Sequence, residues 1–464
     1  MDQGSTSERA QRTPASALAV PAQRAELVLV VMCAGMFLVL LDVTVVNVAV
    51  PSITNGLRTT TAGVQWVVDG YTVALASLLL AGGALGDRLG HRRVVAAGLV
   101  IFGAASIGCA LAPSAGVLVA ARAAQGVGAA TLLPGSIAAI ADAYPERAAQ
   151  ARALGIWAGV SSLALPAGPL LGGVLVTTLG WRAVFWINPP VTAICLVGVL
   201  VWVRAAGDRP RQRLDPAGLV LGTTGLAAVV YAVIAAGTDA VAAATAGAVG
   251  TVAIVALIVV ERRVAAPLLP PNLFRRPAFA AANGSALVMN LTSNGLLFLL
   301  TRYLQSVLGH SALDAGVMLL PLFVPLAALS PLAGRLTARH GPRPVLLAGA
   351  LLAAAGQLCL LFVNMTSSYP SLIPALIGVG LGVGLFTAPV VATAIRAVPA
   401  DRSGLASGIN NTARQAGTAL GVALYGAVAA SPTHSDHFIG ALRDLGIAAA
   451  VLWVAAAAFT HATT

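Results

Sequence analysis

Long apolar stretches alternate with short polar segments along almost the whole chain. Each stretch holds about 20 or more mostly apolar residues, which as a helix rising about 1.5 Å per residue can cross about 30 Å of hydrocarbon. Their glycine and alanine content suits closely packed helices rather than barrel strands. With the proline, glycine and arginine residues between them, the stretches predict an all-α integral membrane protein with fourteen transmembrane helices, at about 27–50, 63–86, 93–112, 115–141, 152–178, 184–204, 217–237, 242–260, 279–305, 312–334, 343–364, 370–395, 404–428 and 440–461.

The composition supports the same conclusion. Hydrophobic residues make up 58% and charged residues 9% of the 464 residues, which leaves too little polar surface for a soluble globule of this size. The chain therefore needs a lipid bilayer as its solvent. The apolar stretch after the polar first 24 residues is too long for the core of a signal peptide and contains Asp42, so we interpret it as the first transmembrane helix.

The net charge of +11 could indicate a nucleic-acid partner, but the positions of the charges argue against one. All 27 basic residues are arginine, and 21 of them fall in alternate loops or in the N-terminal tail. Such an asymmetry is typical of the cytoplasmic side of membrane proteins. It predicts a multi-pass protein of the cytoplasmic membrane, with both termini in the cytoplasm and no nucleic-acid partner.

The chain carries no recognisable catalytic, metal or nucleotide motif. The phosphate-binding signature GxxxxGK[ST] is missing, and the six histidines fall in predicted loops or at the ends of spans. The four cysteines each sit inside an apolar stretch, without CxxC spacing or a histidine partner: Cys33, Cys109, Cys195 and Cys359. We therefore expect no metal site, no cofactor and no enzymatic activity, and we expect an ion gradient to supply the energy.

Two segments of the chain repeat each other. GALGDRLGHRR at 83–93 and GRLTARHGPRP at 334–344 share glycine, leucine and arginine positions at a constant offset of 251 residues. The repeat predicts two homologous six-helix bundles around an inserted pair of helices. The corresponding domains are a cytoplasmic tail at 1–24, bundles at 25–206 and 267–464, and the inserted pair at 207–266. Parallel halves with a binding site between them are typical of alternating-access carriers.

Further motifs follow in a fixed order: LDVTVVNVAVP at 41–51, LVAARAAQGVGAA at 118–130, ALPAGPLLGG at 164–173 and WRAVFWINPP at 181–190. Together with the motif at 83–93, they make the chain similar, from about residue 25 to 460, to the major facilitator superfamily. Within that superfamily it resembles the fourteen-helix drug:proton antiporters. The resemblance implies a proton-coupled antiporter that exports small lipophilic compounds such as drugs or antibiotics by alternating access.

The resemblance also implies roles for two groups of residues. The loop motif would latch the cytoplasmic side shut, with tight turns at its glycines; its residues are Gly83, Asp87, Arg88, Gly90, Arg92 and Arg93, although a plain solvated loop is the alternative. The motif of the fifth helix would form a smooth surface on which the halves rock, and it favours export over uptake. Its residues are Gly168, Pro169, Gly172 and Gly173.

Charged side chains inside the predicted spans are candidates for proton coupling. Asp42 is the leading proton carrier, Arg122 tunes it, and Asp69 is a second candidate site. The alternatives are a structural hydrogen bond for Asp42, an arginine that extends to the outer interface for Arg122, and an interfacial position for Asp69.

Polar side chains, Arg414 among them, recur along single helix faces in the ninth and thirteenth spans. Such faces indicate a substrate cavity, although hydrogen bonds between helices explain them almost as well. The candidates for cavity lining are Asn47, Gln125, Asn290, Asn294, Asn411 and Arg414.

We expect the protein to be a monomer. Because the spans hold few carboxylates, we also expect its substrates to be small, lipophilic, and neutral or singly charged. The alternatives are an exporter of one dedicated natural product, lipid or siderophore, and a proton symporter for uptake.

Overall fold

The structure is a computed structural model that describes residues 22–204, 215–236, 239–264, 267, 269–364, 369–399, 403–428 and 435–463. Within these residues the chain is helical and contains no strand. The first part of the chain forms α1 (Ala22–Leu57), α2 (Thr61–Leu89), α3 (His91–Ala110), α4 (Ala115–Ala143), α5 (Arg147–Leu179), α6 (Ala183–Trp186) and α7 (Asn188–Trp202).

The chain continues through a pair of helices into a second series. The pair is α8 (Pro216–Ala235) and α9 (Ala240–Glu261), and a short helix, α10 (Pro271–Phe274), follows it. The second series consists of α11 (Pro277–Arg302), α12 (Ala312–Met318), α13 (Leu320–His340), α14 (Pro342–Leu358), α15 (Ile373–Arg396), α16 (Ser403–Val428) and α17 (Ser435–Thr463).

Among the described residues, eleven helical segments are long and apolar enough to cross a membrane. This confirms an all-α, multi-pass membrane protein. Predicted spans also coincide with α2, α5 and α16, which are not among these eleven segments. The count of fourteen transmembrane helices therefore stays a prediction.

The predicted ends of several spans differ from the helices. α5 begins at Arg147 instead of residue 152, and α13 continues to His340 instead of ending at residue 334, because a helix can extend past the apolar stretch that predicts its membrane part. The sixth span is interrupted at Ile187, just before two prolines, which lack an amide hydrogen. The predicted domain boundaries at residues 206 and 266, and most of the tail at 1–24, lie outside the described residues.

The two series of helices pack in corresponding pairs. In the first, α2 and α3 both pack against α4, while α1 packs against α5 and α3 against α7. In the second, α13 and α14 both pack against α15, while α11 packs against α16 and α14 against α17. Helices at equivalent positions of the sequence repeat thus have equivalent neighbours. The two series meet where α2 packs against α16 and where α5 packs against α12, and α8 packs on α2 and α16.

Both copies of the repeated loop form the same turn. Gly90 has φ 90° and Gly341 has φ 81°, a backbone region that favours glycine. Two residues further on, Arg92 Nη2 donates to the carbonyl of Leu200, and Arg343 Nη2 donates to the carbonyl of His461 at 3.0 Å. Each copy therefore joins its helix pair to the last helix of its own series.

Candidate functional site

A buried ion pair joins two helices of the first series. Asp42 on α1 accepts from Arg122 on α4, and the two residues are 2% and 1% exposed. The Arg122 Nε donates to the carbonyl of Val67 at 3.0 Å, and its guanidinium carbon lies 4.3 Å from the centre of the Tyr71 ring. Arg122 is thus held inside the bundle by a carboxylate, a carbonyl and an aromatic face, and does not extend to the outer interface.

Three neutral polar side chains complete this cluster, and sequence reasoning singled out only Gln125 among them. Gln125 Oε1 accepts from Arg122 Nη1 at 2.8 Å, and Asn188 Nδ2 donates to Asp42 Oδ1 at 2.9 Å. The hydroxyl of Ser106 accepts from Gln125 Nε2 at 2.7 Å and from Asn188 Nδ2 at 3.2 Å. The only sequence signal for Asn188 was its place in the block WRAVFWINPP, directly after the break at Ile187.

The chemistry of the cluster depends on charge balance. With Arg122 and Asn188 as donors, the Asp42 carboxylate is compensated as an anion. Loss of either charge would leave the other uncompensated inside the bundle, which is strongly unfavourable. A change of charge at this site therefore requires the partners of Arg122 to rearrange.

Asp69 lies on α2 in a different environment. It is 0% exposed, and neither carboxyl oxygen has a well-aligned hydrogen bond with a described residue, although the Thr72 hydroxyl lies near the carboxyl group. One turn to each side on the same helix face, Gln65 Nε2 donates to the carbonyl of Ala423 at 3.3 Å and Val73 packs in a cluster with Ala419. Asp69 is therefore buried where α2 meets α16, not exposed at a membrane interface.

A cavity of about 2670 Å³ lies between the two series of helices. It reaches the side of the arginine-rich loops, where Gly83, His91, Arg262 and Arg275 line it. The side chains that the first series contributes are mainly apolar, among them Met36, Leu40, Val43, Leu79, Leu133, Ile137, Trp157, Val160 and Leu163.

The second series contributes the polar wall. Its polar lining includes Ser293 and Thr387 together with Asn290, Asn294, Asn411, Arg414, Gln415 and Thr418. Two of the predicted lining residues lie elsewhere. Gln125 is 0% exposed within the Asp42 cluster, and Asn47 is 4% exposed and does not line the cavity. A polar residue in an apolar span faces either a cavity or another helix, and these two face helices.

The opposite side of the protein is closed by close packing of the fifth helix. A Cβ atom at Gly168 would lie 1.9 Å from Thr44 Oγ1 on α1, and one at Gly173 would lie 2.5 Å from the Cα of Leu313 on α12. A Cβ atom at Gly316 on α12 would lie 2.4 Å from the carbonyl oxygen of Pro169. The motif at 164–173 therefore lies where the two series touch, and its glycines permit that contact.

The residues of the loop motif lie at the mouth of the cavity. Gly83 lines it, Gly90 forms the turn between α2 and α3, and Arg88 and Arg93 are exposed. Asp87 belongs to the last turn of α2, but its side chain lies outside the described residues.

A bundle of membrane-spanning helices around a central cavity, with paired halves, defines a membrane transport protein rather than an enzyme. The sequence profile of the Major Facilitator Superfamily matches residues 32–422, and the chain belongs to that family.

Relatives over most of the chain are antibiotic-resistance proteins. The puromycin resistance protein pur8 of Streptomyces alboniger is 40% identical over 88% of this chain and 83% of its own length. The lincomycin resistance protein of Streptomyces lincolnensis is 35% identical over 97% of this chain and 94% of its own length. The multidrug resistance protein Stp of Mycobacterium tuberculosis is 36% identical over 88% of this chain and 77% of its own length.

Solved structures share the fold at low identity. A bacterial homologue of the human lysosomal transporter Spinster, in an inward-facing and occupied conformation, superposes with a TM-score of 0.65 at 18% identity, over 96% of this chain and 97% of the other. An auto-inhibited peptide transporter of the POT family gives a TM-score of 0.67 at 14% identity, over 94% of this chain and 96% of the other.

Proposed function

We propose that the protein is a proton-coupled antiporter that exports small lipophilic compounds across the cytoplasmic membrane by alternating access. The observation that carries the proposal is the cavity of about 2670 Å³, open on the arginine-rich side and closed on the other by the contact of α5 with α12. A cavity open to one side at a time is what an alternating-access carrier requires. The resistance proteins among the relatives support export over uptake.

The moving parts follow the packing of the helices. In this proposal one chain is the working unit, residues 25–206 and 267–464 are the two bundles that rock, and residues 207–266 form the inserted pair. The cavity then opens alternately to the cytoplasm, which the arginine-rich loops face, and to the outside.

Proton exchange is assigned to the two buried carboxyl groups. Asp42 exchanges its proton when Arg122 changes partners. Asp69 is the second site: it lies between α2 and α16, so rocking of the halves changes its surroundings. An ionised carboxylate without well-aligned hydrogen bonds is far more costly in an apolar environment than a neutral acid. Asp69 therefore fits a proton-bound acid in this conformation.

Transport into inverted membrane vesicles tests the proposal. Puromycin, lincomycin and a neutral lipophilic dye form the first panel, because the names of two relatives point to such compounds. We expect uphill accumulation that needs an inward-acidic pH gradient, stops with a protonophore and does not need ATP. Accumulation in the same direction as proton flow would establish symport instead. Transport of a single compound from a wide panel would favour a dedicated natural-product exporter.

The orientation can be tested by cysteine labelling. Pro113 and Glu146 are exposed on opposite ends of α4, and the arginine asymmetry predicts that Pro113 is outside and Glu146 inside. In intact cells a membrane-impermeant maleimide should label Pro113→Cys and spare Glu146→Cys. Native Cys33, Cys109 and Cys195 are buried but Cys359 is partly exposed, so both variants are made in a Cys359→Ser background. The reverse labelling pattern would invert the topology.

The proposed latch predicts a split between binding and turnover. Asp87 lies at the end of α2, near the mouth of the cavity and away from its closed end. Asp87→Asn removes one negative charge from this motif, so we expect turnover to fall by about tenfold while substrate affinity stays unchanged. Both quantities should be measured on the same purified protein. Loss of affinity with normal turnover would mean that Asp87 belongs to the binding site.

A further inference from the structure

The charges that line the cavity are distributed unevenly. At its mouth lie His91 at the start of α3, Glu261 and Arg262 at the end of α9, and Arg275 just before α11. Deeper in the cavity, the lining holds one charged side chain among the described residues, Arg414. Arg414 is eleven residues past the start of α16, which corresponds to a rise of about 16 Å and places it near the middle of that helix.

Arg414 has no charged partner among the described residues. Its side chain makes no hydrogen bond or ion pair with any described residue, and its Nε is buried without an acceptor. The carboxylates of Asp42 and Asp69 do not line the cavity, and Asp42 is already paired with Arg122. A guanidinium at this depth in a membrane is unfavourable unless an anion or water compensates it. No acidic side chain of the described lining lies at this depth, so an anionic partner for Arg414 would be a ligand.

The residues around Arg414 determine which chemical groups that ligand would carry. Asn411, Gln415 and Thr418 share its helix face and supply neutral hydrogen-bonding groups around the guanidinium. The first series of helices lines the cavity mainly with apolar side chains, including Leu40. The cavity therefore offers a cationic, polar wall and an apolar wall to one occupant.

We infer that Arg414 is the subsite for an acidic group, and that the preferred substrates are lipophilic monoanions such as organic carboxylic acids. A guanidinium binds a carboxylate through two parallel hydrogen bonds, which adds directional specificity to charge. The acid group lies against Arg414 and the hydrocarbon body lies against the wall of the first series. This inference rests on the proposed function, because it takes the cavity to be the substrate site.

Binding of a matched set of probes tests the inference. The probes are tritiated 4-biphenylacetic acid, its primary amide and the corresponding primary amine, and the protein is held in phosphatidylcholine nanodiscs. We expect the wild-type protein to bind the acid about 10- to 100-fold more tightly than the amide. Arg414→Gln should lose this preference and leave amide affinity unchanged. Arg414→Lys should keep part of the preference for the acid, because an ammonium group retains the positive charge but cannot form the two parallel hydrogen bonds.

The control variant is Arg152→Gln, which removes the same charge at an exposed position that does not line the cavity. It should bind all three probes like the wild type. Equal binding of acid and amide by the wild-type protein would overturn the inference. This comparison uses the wild-type protein alone, so it does not depend on whether a variant folds. An acid preference that survives in Arg414→Gln would also overturn it. Displacement of the acid when phosphatidylglycerol is added to the nanodiscs would assign the subsite to a lipid headgroup and overturn the substrate assignment.

Export of the same probes separates the two proposals. Proton-driven accumulation of the amide and the amine in inverted vesicles, without preference for the acid, would sustain the antiporter and reject the role of Arg414. Tight, Arg414-dependent binding of the acid without proton-driven transport of any probe would sustain the subsite and reject the antiporter.

Discussion

Asp42→Asn is expected to abolish uphill, proton-driven export while downhill exchange of substrate remains measurable. Asparagine keeps the size of aspartate and much of its hydrogen bonding, but it cannot carry a proton. Asp42 does not line the cavity, so the substitution leaves the cavity wall in place. The measurement is transport into proteoliposomes with and without a pH gradient, at equal amounts of folded protein. Loss of the gradient-driven component alone is the expected result.

The same substitution has a structural consequence that needs a control. Arg122 is 1% exposed and would lose its only carboxylate partner among the described residues. Leaving such a charge unpaired destabilises a protein by about 3–5 kcal/mol. The double variant Asp42→Asn, Arg122→Gln removes both charges. We therefore expect its melting temperature to be higher than that of Asp42→Asn alone, while proton coupling stays absent.

Undiminished uphill export by Asp42→Asn would show that the proton is carried elsewhere. Asp69 would then be the remaining buried carboxyl group in the described part of the first series. In that case Asp69→Asn should eliminate coupling, and Asp42 would be a structural partner of Arg122.

The Asp42 cluster shows how far sequence reasoning reaches. Charged residues inside apolar spans are rare enough to be noticed, so Asp42 and Arg122 could be predicted as candidates without a structure. Ser106 and Asn188 could not be predicted in this way, because a serine or an asparagine in a membrane helix can form hydrogen bonds with many different neighbours. Their roles depend on how α3 and α7 are placed against α1 and α4, which short motifs do not encode.

The cavity illustrates a second limit. The polar faces of α11 and α16 follow from helical periodicity, and Asn290, Asn294, Asn411 and Arg414 do line the cavity. Periodicity alone cannot tell which face of a helix its neighbours cover. For this reason Gln125 could be expected in the cavity, whereas its amide is occupied by Arg122 and Ser106.

The fold was easier to predict than its details. Apolar stretches located the helices, and the repeated loop indicated two related halves, because both signals are carried by many residues. The breaks at Ile187 and Leu319 and the extra turns of α13 were not predicted. They depend on where each helix leaves the membrane and on what packs against it.

Gly173→Ala is expected to prevent the closed contact on the outer side. A Cβ atom at this position would lie 2.5 Å from the Cα of Leu313 and 3.0 Å from the carbonyl oxygen of Ala312. Both are backbone atoms, which cannot turn aside as a flexible side chain can. Normal contacts between carbon atoms are about 3.5–4 Å, so α5 and α12 must separate by about 1 Å. The strain acts only while the outer side is closed, so it disfavours the inward-open conformation.

The size of the effect follows from the strain. Overpacking costs about 1–3 kcal/mol, which shifts the equilibrium between the two conformations by about 5- to 150-fold and should reduce export accordingly. Val48 is 1% exposed on the closed side, so maleimide labelling of a cysteine at this position reports opening of the outer side. An impermeant maleimide should label Val48→Cys faster in the Gly173→Ala background than alone. Gly35→Ala is the matched control, because a Cβ atom there meets nothing within 4 Å. If Gly173→Ala exports normally and Val48→Cys stays protected, the contact of α5 with α12 is not the gate.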